Sequence, residues 1–192
     1  GDWSSDVCSS DLSVARMQFT DVNKRAILRV QSWAPVDAPV QLPGLLGARG
    51  RSVHSDAIDL GEARALCVGP ADWLLVSATL NAESLRRQVG FEASGNEFSV
   101  VDLTHGLAVI EARGDAIRDV LSKGCALDLH PDRFRAGQSH RTRFAKIAAV
   151  LDFPLDCPGE RPSFELYIAS SYQSYLHAWL RDAAAEFEGG LQ

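Results

Sequence analysis

The sequence lacks the features that mark membrane and nucleic-acid-binding proteins. None of its apolar runs approaches the roughly 20 residues of a transmembrane helix. Its 19 basic residues are outnumbered by 25 acidic ones, which gives a formal net charge of −6. A nucleic-acid-binding protein normally carries a basic face. The sequence therefore argues against a membrane or a nucleic acid as a partner.

Motifs for nucleotides, metals and hydrolytic chemistry are also missing. The sequence has no G-x-G-x-x-G between a strand and a helix, no Walker motif, no H-E-x-x-H and no G-x-S-x-G. Gly44, Gly47 and Gly50 have a different spacing and lie in a proline-rich stretch. The five histidines lack metal-ligand spacing. We therefore expect no FAD, NAD, ATP or metal site of a standard kind in this chain.

Residues 1–12, GDWSSDVCSSDL, differ in character from the rest of the chain. They show neither helical nor strand periodicity, and Asp2–Leu12 resembles the translated sequence of a common sequencing adapter; a native disordered tail is the alternative. We expect them to be disordered and foreign to the native protein, so that residues 13–192 form a single domain with an undefined native N-terminus. Without Asp2, Asp6 and Asp11 the net charge changes from −6 to −3.

Three cysteines remain after residue 12. Cys67, Cys125 and Cys157 are far apart, odd in number and form no C-x-x-C pair. This pattern is typical of reduced thiols in a cytoplasmic protein rather than of a disulfide framework or a zinc site.

Hydrophobic patterning predicts an α+β fold. Period-two alternation and β-compatible residues predict strands at 25–33, 63–68, 73–78, 98–103, 107–112 and 163–169, with a long, bent strand at 142–153. Residues 34–61 are rich in proline and glycine and predict a long connection. Residues 69–72, Gly-Pro-Ala-Asp, are typical of a turn and predict that the strands at 63–68 and 73–78 form a hairpin.

Three helices are predicted with their end signals. Asn81 and Asp115 are candidate N-caps, and Ser170 with Gln173 fits a capping box. Gly124 predicts a left-handed helix end. The last helix carries a broad apolar stripe that is typical of a core face: Tyr172, Tyr175, Leu176, Trp179, Leu180, Ala183, Ala184 and Phe187.

A faint internal repeat supports this arrangement. At one constant offset, five apolar residues of the first half match five of the second: Trp73, Leu75, Ala78, Leu85 and Val89 against Phe164, Leu166, Ala169, Leu176 and Leu180. Two hairpin-plus-helix units predict antiparallel sheet with helices packed on it.

Two groups near element ends are candidates for ligand or interface contacts. Asp102 and His105 flank Thr104 at a strand end, where polar groups can face a cleft; bonding of Asp102 and Thr104 to the turn backbone is the favoured alternative. Lys123 lies near a helix C-terminus and can simply offset the negative end of the helix dipole.

A basic cluster follows. Arg141 and Arg143 are expected on one face of a strand, with Lys146 on the opposite face. Two arginines can grip a carboxylate or phosphate; a solvated edge or a salt bridge to another subunit is the favoured alternative.

Several blocks of residues together resemble one known family, the gamma subunits of heterotetrameric sarcosine oxidase. The resemblance covers roughly residues 63–187. The blocks are Gly69-Pro-Ala-Asp-Trp-Leu-Leu-Val76, Val101-Asp-Leu-Thr-His-Gly106, Leu121-Ser-Lys-Gly-Cys-Ala-Leu-Asp-Leu-His-Pro131, Thr142-Arg-Phe-Ala-Lys-Ile147 and the final helix from Ser170 to Phe187. Residues 41–61 depart from the family pattern.

The resemblance implies both a fold and a role. The family is related to the folate-binding domains of aminomethyltransferases, and its complex oxidatively demethylates sarcosine to glycine. Alpha, beta and delta subunits are then the partners, and they hold FAD, FMN, NAD and tetrahydrofolate. The chain itself is expected to be a non-catalytic assembly subunit; the alternative is a folate-binding module or an aminomethyltransferase-like protein.

Overall fold

The computed structural model describes residues 17–23, 25–33, 57–69, 71–89, 98–155 and 161–188. The predictions for residues 1–12 and 34–56 and for Cys157 fall outside them. In chain order the elements are β1 (Gln18–Asp21), β2 (Ala26–Ser32), β3 (Ile58–Asp59), β4 (Arg64–Gly69), β5 (Asp72–Ser77), α1 (Ala82–Val89), β6 (Phe98–Asp102), β7 (Leu107–Arg113), α2 (Ile117–Ser122), β8 (Ser139–Phe144), β9 (Ile147–Asp152), β10 (Ser163–Ala169) and α3 (Gln173–Glu188), the last after a 3₁₀ turn at Ser170–Tyr172.

These strands form two antiparallel sheets of five strands each within the described ranges. The first sheet has the order β3-β4-β5-β2-β6 and the second the order β8-β9-β10-β7-β1. In each sheet a hairpin, β4-β5 or β9-β10, is followed by a helix, α1 or α3. The predicted α+β fold with two hairpin-plus-helix units is confirmed.

The two halves of the chain exchange one edge strand. β1 precedes β2 in sequence but pairs with β7, and β6 precedes β7 but pairs with β2. The exchange keeps the same register on both sides: Asp102 lies opposite Leu28, and Asp21 lies opposite Ile110. The halves are therefore tied together by main-chain hydrogen bonds at both outer strands, and this makes them one unit.

Alternating side chains sort the apolar residues into three cores. One face of the first sheet packs against α1 around Leu28, Leu75 and Leu85. One face of the second sheet packs against α2 and α3 around a larger cluster that includes Leu166 and Leu180. The other faces of the two sheets meet through Ile27, Leu66, Val68, Leu74, Val76, Val109, Val150 and Tyr167. The layers are thus helix, sheet, sheet and helix.

The pairing places the predicted strands in their sheets and adds one strand. The strands predicted at 98–103 and 107–112 follow each other in sequence, but β6 and β7 belong to different sheets, so the turn between them crosses from one sheet to the other. Within the predicted connection at 34–61, Ile58 and Asp59 form a short edge strand against β4. Apolar alternation sets which face of a strand is buried but does not choose its neighbour.

The predicted single strand at 142–153 is wrong, because it is a hairpin. β8 begins at Ser139, and the chain turns at Ala145 and Lys146, whose φ angles are 46° and 72°. Such two-residue turns normally carry asparagine or glycine, because both positions need positive φ. Lys146 consequently lies in the turn and not on the strand face opposite Arg141.

The helix ends follow the predictions in part. Asn81 caps α1, its Oδ1 accepting a hydrogen bond from the Ser84 N–H at 2.7 Å. Asp115 does not cap α2, since the N-cap residue is Ala116, which makes no side-chain cap bond; Asp115 pairs with Arg161 at 3.2 Å instead.

The predicted capping box at the last helix is not formed. The helix is entered through a 3₁₀ turn whose N-cap residue is Ala169, again without a side-chain cap bond. Gln173 instead directs its side chain to Asp21. Leu176, Leu180 and others of the apolar stripe are buried, whereas Tyr172 and Tyr175 at its start are 48% and 44% exposed.

Neither Gly124 nor Gly69 adopts the positive φ for which glycine is usually required. Gly124 follows α2 as expected, but its φ is not positive. A Cβ there would lie 2.7 Å from both Phe144 Cζ and Trp179 Cη2, so close packing requires the glycine. In the turn before β5, the positive φ of 53° falls on Ala71 rather than on Gly69.

Candidate functional site

The predicted residues at the end of β6 hold a turn. Asp102 Oδ1 accepts a hydrogen bond from the Thr104 N–H at 2.9 Å, and Thr104 Oγ1 accepts one from the Ile27 N–H at 3.1 Å. The hydrogen bond from the Thr104 side chain is the main reason that the pKa of Asp102 is lowered. His105 is exposed on the same turn. These contacts support the turn-bonding alternative for Asp102 and Thr104.

Asp21, the counterpart of Asp102 in the other half, also makes structural contacts. Its Oδ1 lies 2.5 Å from His177 Nε2. This hydrogen bond, together with one from Gln173, lowers the pKa of the Asp21 carboxyl. Both exchanged strands therefore end on an aspartate that is held by hydrogen bonds, one to its own turn and the other to α3.

Lys123 joins two helices. Its ammonium lies 2.6 Å from the Ala183 carbonyl oxygen and 2.5 Å from Glu186 Oε1, and 4.7 Å from the centre of the Phe187 ring. The carbonyl and the carboxylate both belong to the last turns of α3. The charge therefore stabilises the C-terminal end of α3 rather than facing a ligand.

Arg141 and Arg143 share one face of β8, as predicted, and both are exposed. They differ in their surroundings, because only Arg141 lines a cleft between the two sheets. This inter-sheet cleft has a volume of about 200 Å³ and is bounded by Arg29, Val68, Leu74, Leu103, Leu107, Arg141, Ala148, Ala149, Val150, Tyr167, Ile168 and Ala169. Its walls are apolar, and the two charged residues among its described lining are both arginines.

Arg29, on the opposite wall of the cleft, is fixed by Asp72. The guanidinium donates from Nε to Oδ1 at 2.9 Å and from Nη2 to Oδ2 at 2.6 Å. This two-point pairing raises the pKa of Arg29. Asp72 itself is buried, so Arg29 has a rigid position at the cleft.

A second polar feature, which the sequence did not predict, lies elsewhere between the sheets. Arg25 forms an ion pair with Glu165, and the Tyr167 hydroxyl donates to Glu165 Oε2 at 2.5 Å. Arg64 Nη2 donates to Asp152 Oδ1 at 2.8 Å. We call Arg25, Arg64, Asp152, Glu165 and Tyr167 the inter-sheet ionic cluster.

Burial controls the protonation of this cluster. Asp152 is completely buried, and desolvation outweighs the attraction of Arg64, which raises the pKa of Asp152 to about 6. Burial likewise raises the pKa of Tyr167 well above its ordinary value. The cluster borders a cavity of about 480 Å³ whose lining includes Arg25, Arg64 and Glu165. Its composition, two cations facing two acids, favours a structural tie between the sheets.

Other site chemistry is not found among the described residues. No group of three His, Cys, Asp or Glu side chains within these ranges is arranged to hold a metal ion. Burial raises the pKa of the half-buried Cys67 and Cys125 thiols, which disfavours the reactive thiolate. In the part of the chain that the structure describes, no helix is long and apolar enough to cross a membrane.

Comparison with known proteins identifies the family. Residues 50–186 match the model of the family described as "Sarcosine oxidase, gamma subunit family". The chain belongs to the sarcosine oxidase gamma subunit family. Residues 50–186 contain the β4-β5 hairpin, the turn at 103–106 and nearly all of α3. The match therefore spans the blocks that carry the resemblance.

Two solved structures share the fold of this gamma-subunit family member. A chain of the heterotetrameric sarcosine oxidase from Corynebacterium sp. U-96, in complex with pyrrole 2-carboxylate, is 24% identical with a TM-score of 0.70; the match covers 92% of this chain and 87% of that one. The glycine cleavage system aminomethyltransferase T from Bartonella henselae is 16% identical with a TM-score of 0.58, covering 87% of this chain and 46% of that one. A search of the curated proteins finds no match.

Proposed function

We propose that this gamma subunit is a structural member of a heterotetrameric sarcosine oxidase, which oxidatively demethylates sarcosine to glycine, and that it has no catalytic site of its own. The family match over residues 50–186 carries the proposal. The site candidates support it, because Asp102 and Lys123 are engaged in holding a turn and a helix end.

The cofactors and the chemistry then belong to partner chains. Alpha, beta and delta subunits bind FAD, FMN, NAD and tetrahydrofolate, and the assembled enzyme is cytoplasmic. The lack of any nucleotide-binding motif in this sequence supports this division of roles.

Co-expression with and without the gamma chain tests the proposal. We expect the tagged chain to purify together with the three partner subunits and their flavins, and sarcosine oxidation to follow the assembled complex. Purified alone, the chain should be colourless and should not oxidise sarcosine. Sarcosine oxidation by the isolated chain, or a failure of the four chains to associate, would exclude the proposed role.

A folate-binding module is the second candidate, and the shared fold with an aminomethyltransferase favours it. A common fold is a weak argument for a common function. The inter-sheet cleft, at about 200 Å³, is smaller than the roughly 300–1,000 Å³ of ordinary small-molecule sites, whereas the cavity beside the inter-sheet ionic cluster, at about 480 Å³, lies within that range. Titration of the chain with tetrahydrofolate up to about 1 mM, the range of very weak affinity, separates the candidates: saturable binding would favour the folate module.

A further inference from the structure

We propose that the inter-sheet cleft is a docking site for a partner subunit, and that it receives an apolar side chain from a segment that also carries a neighbouring carboxylate. The inference rests on the proposed function, since it assigns a contact surface to the assembly subunit. It names the chemistry of the partner segment and the residues of this chain that bind it.

The size and lining of the cleft favour a single anchoring side chain. Its volume is about 200 Å³, and its buried walls come from both sheets, with Leu74 and Val68 on one side and Val150 and Tyr167 on the other. Protein interfaces commonly place one large apolar or aromatic side chain in such a pocket, surrounded by weaker contacts that exclude water. A leucine, phenylalanine or tryptophan side chain suits this shape.

The two arginines of the cleft favour a partner segment that carries an acidic residue beside its apolar anchor. Arg29 already binds Asp72 through Nε and one N–H of Nη2, so its remaining donors are the second N–H of Nη2 and the two of Nη1. Arg141 forms no ion pair with any carboxylate of the described residues, although it lines the same cleft. A guanidinium binds a carboxylate through two parallel hydrogen bonds. The arginine pair therefore complements an acidic residue next to the apolar anchor.

The rim has the composition of an interface. Ala148 and Ala169 line the cleft and are exposed. Val101 lies opposite Arg29 on the edge strand β6 and is 46% exposed. These exposed apolar residues beside the arginines extend the apolar surface of the cleft outward.

Competition between differently tagged chains tests the role of Arg141. Wild-type and variant gamma chains are co-expressed with the alpha, beta and delta subunits, and their ratio in the purified complex is divided by their ratio in the soluble extract. We expect Arg141→Glu to be depleted at least about tenfold, the size of effect of an interface hot spot. Arg143→Glu is the matched control, because Arg143 shares the strand face but does not line the cleft; it should stay within about twofold of wild type.

Photo-cross-linking keeps the test decisive if Arg141→Glu fails to fold. A benzophenone amino acid replaces Ala148 at the cleft, and in a control Ala185, which is exposed on α3. The proposal predicts that position 148 cross-links to a partner-subunit segment with an apolar residue within a few positions of an aspartate or glutamate.

The outcomes separate this inference from the proposed function. If the wild-type chain does not assemble, the proposed function fails. If it assembles while Arg141→Glu competes as well as Arg143→Glu, the docking site is wrong. A cross-link from position 148 to this same chain, to a second copy of it, or to a segment without an acidic residue also overturns the inference, as does a cross-link from position 185 alone.

Discussion

Arg64 Nη2 lies 2.8 Å from Asp152 Oδ1, and this ion pair joins β4 of the first sheet to β9 of the second. Arg64 is 17% exposed and Asp152 not at all. Arg25 and Glu165 make a parallel connection between the residue before β2 and β10. The two sheets are therefore held by charged contacts as well as by the apolar residues between them.

Removing the cation of this pair should destabilise the fold strongly at neutral pH. Arg64→Met leaves Asp152 buried without its counter-charge, and loss of one partner of a buried pair costs about 3–5 kcal/mol. The cost should be smaller at pH 5, where Asp152 is largely protonated. Urea unfolding at pH 5 and pH 8 measures both values.

The double variant Arg64→Met with Asp152→Leu is the matched control. It removes both charges, so much of the lost stability should return. If the double variant is less stable than Arg64→Met alone, the account of the ion pair is wrong.

The raised pKa of Asp152 predicts a specific pH dependence. The folded state binds this proton up to about pH 6, whereas the unfolded state releases it near 3.8. The contribution is therefore fully present below pH 3.8 and is lost as pH rises through about 6. The shift corresponds to about 3 kcal/mol at 1.36 kcal/mol per pKa unit.

Comparison of the wild type with Asp152→Asn isolates this contribution, because asparagine does not titrate. We expect the free energy of unfolding of the wild type, relative to the variant, to fall by about 2 kcal/mol between pH 4 and pH 7, because at pH 4 the unfolded state already binds part of the proton. A relative stability that rises over this interval would mean that the pKa of Asp152 is lowered instead.

Gly124→Ala should destabilise the chain through overpacking. The new methyl group would lie 2.7 Å from the edges of Phe144 and Trp179, whose rings meet at 79° with centroids 5.0 Å apart. Forcing such a group into a packed core costs about 1–3 kcal/mol. Thermal or urea unfolding of the variant gives the value.

Gly106→Ala provides the control for this substitution. A Cβ at Gly106 meets its nearest atom, Leu103 Cδ2, at 3.6 Å, an ordinary contact. We expect a change within about 0.5 kcal/mol. In a Trp179→Leu background, where one of the two clashing rings is absent, Gly124→Ala should cost less stability than in the wild type.

Lys123→Met should lower stability without changing the activity of the assembled enzyme. The variant loses the hydrogen bond to Ala183 and the ion pair with Glu186 but keeps an apolar chain against Phe187. We expect a loss of about 1 kcal/mol. Lys146→Met, in an exposed turn, should change stability by less than about 0.5 kcal/mol. Equal effects of the two substitutions would contradict the role given to Lys123.

Features set by local patterns were predictable from the sequence. The strand and helix periodicities of the two hairpin-plus-helix units are local, and so is the cap at Asn81, whose side chain reaches only three residues along the chain. The β8-β9 hairpin was missed because Ala145 and Lys146 adopt positive φ without glycine or asparagine. Tertiary packing imposes that conformation.

Features that depend on distant partners were not predictable in the same way. Arg25 and Glu165 are 140 residues apart in sequence, and either residue alone is indistinguishable from a solvated charge. The exchange of β1 and β6 leaves the alternation of both strands unchanged, so no local signal reports it. Of the site candidates, Arg141 alone lines the inter-sheet cleft, and its neighbour Arg29 was not singled out because its partner Asp72 is 43 residues away.

Native mass spectrometry of the co-expressed complex tests the central claim most directly. The account predicts one gamma chain in a complex with alpha, beta and delta subunits, and a gamma chain that leaves the complex, on collisional activation, with the mass of its polypeptide alone. Flavin or folate retained on the released gamma chain, or a fully active complex that forms without it, would contradict the account.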